Sequence, residues 1–197
     1  HDTAACWRPD RYAKERQKGE LFCGHNFRMS ELEGSVNVVQ LRKAKAQARR
    51  YNRNMRRIVE RLDDFADTRV RRSNDLSSDV GYNLALFAKD PQAALELDAA
   101  LQAEGVPSRT RGPGSARDWH IYNYWEHILE QKTATPEGCP FTCPYYKGKL
   151  PDYLPDMCPS TLDLMARVVF VRVDQWWTAK DCRAVAAGIN KVCRVLG

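Results

Sequence analysis

Gly24-His25-Asn26-Phe27-Arg28-Met29-Ser30-Glu31-Leu32-Glu33 is a polar turn that runs straight into a long amphipathic segment. Ser30 and Glu33 have the S-x-x-E spacing of a capping box, in which serine and glutamate close the start of a helix on each other. The turn ahead of it carries the amide of Asn26 and the guanidinium of Arg28. Both are anion-binding groups, and they lie beside what becomes the positive end of a helix dipole.

Downstream, apolar or small residues recur at Gly34, Val38, Leu41, Ala44, Ala48, Tyr51, Met55, Ile58, Leu62 and Phe65. Steps of three and four mark one sustained helical face, so a single helix is expected over 30–65. Such length fits a connector between domains or a dimer seam. The large apolar residues sit in its last turns, which argues against a free coiled coil.

After a polar stretch (67–79), Val80–Ala88 reads as a buried strand. Asp90 and Pro91 then open a helix whose apolar face is Ala94, Leu97 and Leu101, and Gly105 ends it. Residues 106–160, rich in proline, glycine and aromatics, read as a long functional or surface-wrapping loop. A short helix is expected over 160–166 and an apolar strand over Val168–Val173. Thr178 and Asp181 form a second cap, opening a last helix through Val195. Trp176 and Trp177 are expected to pack against that helix. A strand–helix unit of this kind belongs to an α/β or α+β domain.

The composition, 43% hydrophobic and 28% charged, is that of a globular domain, and no apolar run is long enough to span a bilayer. The opening residues lack the apolar core of a secretory signal. Seven cysteines, an odd number, then point to a reduced, cytoplasmic setting. Cys139, Cys143 and Cys158 lack zinc-knuckle spacing and read as structural thiols, so no metal is expected. The net charge of +6 is local: residues 42–61 carry +8 and the rest −2. A solvated helix face or an acidic partner surface accounts for this, and a basic-helix nucleic-acid binder is the less favoured alternative.

Gly24-x-Asn26-x-Arg28-x-x-Glu31, followed by Gln40-Leu41, resembles the G-x-N-x-R-x-x-E element of the DegT/StrS-type sugar aminotransferases. These are pyridoxal 5'-phosphate (PLP) enzymes of fold type I. The order that follows is also similar: strand, helix, Leu101–Val106, aromatic loop, Cys158-Pro-Ser-Thr161, strand and terminal helix. The resemblance implies an α/β architecture made of the C-terminal part of that fold. Residues 1–66 would be the end of the large domain and the connecting helix. Residues 67–197 would be a small domain with a short, mostly antiparallel sheet covered by helices.

It further implies a homodimer in which Asn26 and Arg28 contact the phosphate of the neighbouring subunit's PLP. Trp119, His120 and Tyr122 would form the wall for a keto-sugar, keto-cyclitol or sugar-acid acceptor, with glutamate or glutamine as amino donor. His25 and His127 are read as structural. The family's Schiff-base lysine lies upstream of this element, and no lysine here sits in a matching context. The chain is thus expected to hold no catalytic residue, to need a lysine-bearing N-terminal half, and to be inactive alone. The family's P-x-H motif is absent from the aromatic loop. A non-catalytic scaffold or regulatory fragment of the same fold is the alternative. Neither nucleic acid nor membrane is expected as a partner.

Overall fold

The computed structural model describes residues 29–111, 118, 120–133 and 136–196. They divide into two compact units: His1–Met29 with Arg117–Pro159, and Ser30–Ala116 with Ser160–Gly197. Each is taken by itself.

The second unit begins with α1, Glu31–Val59, and the Ser30/Glu33 capping box is formed. Glu33 accepts from the Ser30 backbone N–H at 2.7 Å, and Ser30 Oγ accepts from the Glu33 N–H at 3.2 Å. The helix has 29 residues, so it is about 44 Å long. It stops at Val59 and not near residue 65. The following amides of Arg61 and Leu62 bond back to Ile58 and Val59, tightening the last turn. Asn190 then catches the departing chain, donating to the Arg61 carbonyl and accepting from the Asp63 amide. Leu62 and Phe65 still pack on the core, from beyond the helix end.

A four-stranded antiparallel sheet follows: β1 Thr68–Val70, β2 Asn83–Ala88, β3 Ser108–Thr110 and β4 Val168–Arg172, in the order β1-β2-β4-β3. α2, Pro91–Ala103, starts on Asp90, whose side chain accepts from the Ala93 amide, with Pro91 in the first turn. It ends in a Schellman motif: Gly105, at φ +76°, bonds to Gln102 and Val106 bonds to Leu101. The buried side chains of Val106 and Leu101 complete that cap. α5, Ala179–Leu196, starts on a Thr178/Asp181 box like that of α1.

The period of two along β2 and β4 places Leu84 and Leu86 beside Val171 and Val169 on one face. The apolar faces of α2 and α5 cover it, together with Met55 and Ile58 from the last turns of α1. Gly81 faces Met55 at φ +76°, and a Cβ there would meet Met55 Cβ at 2.9 Å. The opposite face carries Ala85 and Phe87 of β2, Phe170 of β4, and three exposed arginines, Arg69, Arg109 and Arg172.

Two expectations change. β1 and β3 lie in stretches read as loop; each is a three-residue polar edge strand. Trp177 packs on the core, but Trp176 is 70% exposed, with the Arg50 guanidinium 4.5 Å over its ring. α4, Pro159–Arg167, leads into β4.

In the first unit a 3-10 turn, Tyr122–Tyr124, leads into the short α3, Glu126–Leu129. Phe141 is buried there, edge-on to Tyr153 at 6.0 Å.

Candidate functional site

Asn26, Arg28 and Trp119 lie outside the described residues. What the structure does show is the helix end that Asn26 and Arg28 precede in the sequence. The Ser30 amide and hydroxyl are both engaged by the Glu33 carboxylate. Those bonds hold the Glu33 carboxyl below its ordinary range, the backbone bond contributing most. Glu31 adds a second acid to the first turn. An anion approaching this helix end would therefore meet two carboxylates.

His120 and Tyr122 are both in the first unit, in different situations. His120 has an 80% exposed side chain, and its Nδ1 lies 2.8 Å from Oδ1 of Asp118. Asp118 is 7% exposed, and the same oxygen accepts from the His120 amide at 3.1 Å. A buried carboxylate thus fixes one ring nitrogen and presents the other outward, an arrangement suited to hydrogen bonding or proton transfer at Nε2. Asp118 was not foreseen. Its only sequence signal is the D-x-H spacing, which is too common to read alone.

The Tyr122 hydroxyl is engaged inside the unit. It donates to the Pro155 carbonyl at 2.8 Å and accepts from the Cys158 amide at 2.9 Å. What it leaves for a ligand is the ring. His127 is half-buried, and burial lowers its pKa despite the pull of Glu126.

On the outer sheet face of the second unit, a cleft is lined by Tyr51, Tyr82, Phe170, Arg109, Arg172 and Asp174. No ion pair ties Arg109 or Arg172 among the described residues. Arg111 stands beside this group with its guanidinium 5.9 Å over the Phe170 ring. Burial, then the neighbouring positive charge of Arg109, pushes Arg111 below its ordinary range. Such a surface attracts anions.

The basic stretch of α1 is partly engaged within its own unit. Arg50 donates to Gln175 at 2.8 Å, Arg57 to Asn54, and Arg61 to the Arg57 carbonyl, while Arg56 pairs with Glu60. No helix among the described residues is long and apolar enough to cross a membrane.

A long capped helix leading into a small antiparallel sheet, with helices on one face, is the C-terminal architecture of a fold type I aminotransferase. A sequence model of the DegT/DnrJ/EryC1/StrS aminotransferase family matches residues 6–137. The chain belongs to this family, whose members are generally PLP-dependent enzymes.

Proposed function

We propose that this chain serves a PLP-dependent aminotransferase of sugar biosynthesis, in the cytoplasm, that moves an amino group from glutamate or glutamine to a keto-sugar, keto-cyclitol or sugar acid. Family membership across residues 6–137 carries the reading. When bound, PLP supplies the electron sink for the transfer. Asn26 and Arg28 hold its phosphate, in trans across a homodimer, because the acids of the first turn leave that work to side chains ahead of the helix. Residues 1–66 close the large domain and connect it to the small domain, 67–197. The Schiff-base lysine comes from a segment outside residues 1–197, so these residues alone are inactive.

One further feature bears on the acceptor. The Asp118–His120 pair offers an oriented ring nitrogen to a sugar hydroxyl, with the ring of Tyr122 as apolar surface in the same unit.

The test is an amino-transfer assay on the chain expressed with its upstream coding sequence, against a panel of keto-sugars and keto-sugar acids. The expected result is 2-oxoglutarate release from glutamate (2-oxoglutaramate from glutamine) with at least one acceptor of the panel, and none from residues 1–197 alone. A protein that binds no PLP in either form overturns the assignment.

A further inference from the structure

The outer sheet face of the second unit gathers cations that the aminotransferase reading does not use. Arg109 of β3 lies opposite Phe170 of β4, and Arg172 follows two residues along β4 on the same face. The Arg172 amide donates to the Pro107 carbonyl at 2.9 Å, which makes Arg109 and Arg172 diagonal neighbours across the strand pair. Such neighbours stand about 7–8 Å apart, so two long guanidinium side chains can close on one anion. Arg111 holds its guanidinium 5.9 Å from the centre of the Phe170 ring and brings a third cation to this side. Like charges gathered this closely repel one another, and an anion among them turns that repulsion into attraction.

The cleft that Arg109 and Arg172 share has a volume of about 460 Å³, the size of a small-molecule site. Tyr51 of α1 and Tyr82, just ahead of β2, give it aromatic walls, and Asn83 stands opposite Arg172 on β2. Asp174 is its acid, with Oδ1 accepting from the Trp176 amide at 2.8 Å. Two arginines against one aspartate leave the lining with one positive charge, and Arg111 adds a second. A carboxylate would answer only half of that charge, whereas a phosphoryl group carries about −1.5 to −2 at pH 7.

We propose that this cleft binds a small phosphate monoester with a flat aromatic body. Arg109 and Arg172 take the phosphoryl oxygens in charge-assisted bonds, the Asn83 amide donates another, and the body rests on the rings of Tyr51 and Tyr82. All of these residues belong to the second unit, and none has a part in the amino transfer described above.

The test is a calorimetric titration of the full chain with phenyl phosphate at low salt. A saturable site is expected. Inorganic phosphate, lacking the ring, should bind it about fivefold more weakly, and phenol should not bind. Both arginine side chains are exposed, so R109Q and R172Q should keep the circular dichroism spectrum of the parent. Each should weaken phenyl phosphate binding about tenfold or more. R28A should retain the site, which tells it apart from phosphate held by the turn before α1. An absence of saturable binding, undiminished affinity in both arginine variants, phenol or inorganic phosphate binding as tightly as phenyl phosphate, or loss of all binding in R28A overturns the proposal.

Discussion

Asn54 is fully buried on α1, next to Met55 of the apolar face. Its amide nitrogen reaches the carbonyls of Asp174 at 2.9 Å and Trp177 at 3.1 Å, docking the segment after β4 onto α1. A buried carbonyl left without a donor costs more than the bond itself contributes. Asn54→Ala should therefore lower unfolding free energy by about 2–3 kcal/mol in a urea titration, with little change in slope. A loss well under 1 kcal/mol would show that water replaces the amide. The partners of single residues were the least legible part of the sequence. Nothing near Asn54 foretells a segment some 120 positions away, and Tyr122 reads as a ligand-facing aromatic until its hydroxyl is found bound to Pro155 and Cys158. His120 was legible as a polar group in an aromatic loop, but the buried carboxylate that orients it was not.

Helices carry their signals locally, so they were legible. Ser30/Glu33, Asp90-Pro91, Gly105 and Thr178/Asp181 each mark an observed boundary within a residue or two. β1 and β3 were not, because three polar residues become a strand only by pairing with β2 and β4, which are distant in sequence. The end of α1 was misplaced for a similar reason: the apolar period continues, but Asn190 of α5 redirects the chain. The caps also set the acid response. The Ser30 bonds lower Glu33, and the Thr178 hydroxyl followed by its amide lowers Asp181. Asp75, bonded by Ser77 and Ser78, is lowered to about 2. A carboxyl lowered in the folded state stabilises it fully above the unfolded value, near pH 4, and that contribution fades as pH falls through the folded value. Melting temperature should thus fall below about pH 4, in addition to the loss below pH 6.5 that comes from protonating His127, whose pKa burial lowers. S30A and T178A together should lower it at pH 7 and flatten the acid slope. An unchanged slope would remove the caps from the account.

At the scale of the molecule, α1 is two helices in one. Its last turns bury Met55 and Ile58, while Leu32, Val36 and Val39, one stripe at its start, are 75%, 50% and 46% exposed. Isolated exposed apolar residues are ordinary, but a stripe at helical spacing marks a contact surface. The proposed homodimer places it at or beside the subunit boundary. Val36→Glu with Val39→Glu should leave the circular dichroism spectrum intact and shift the protein toward monomer in sedimentation. A variant that sediments like the parent takes this face out of the interface.

The central claim is that the turn before α1 grips the coenzyme phosphate, and a PLP titration of the protein expressed with its upstream coding sequence tests it directly. Removing a charge-assisted bond costs about 1.5–3 kcal/mol, so N26A and R28A should each weaken PLP binding about 10–100-fold, with the fold and unfolding midpoint of the apoprotein unchanged. PLP affinity equal to the parent's in both variants would contradict the claim.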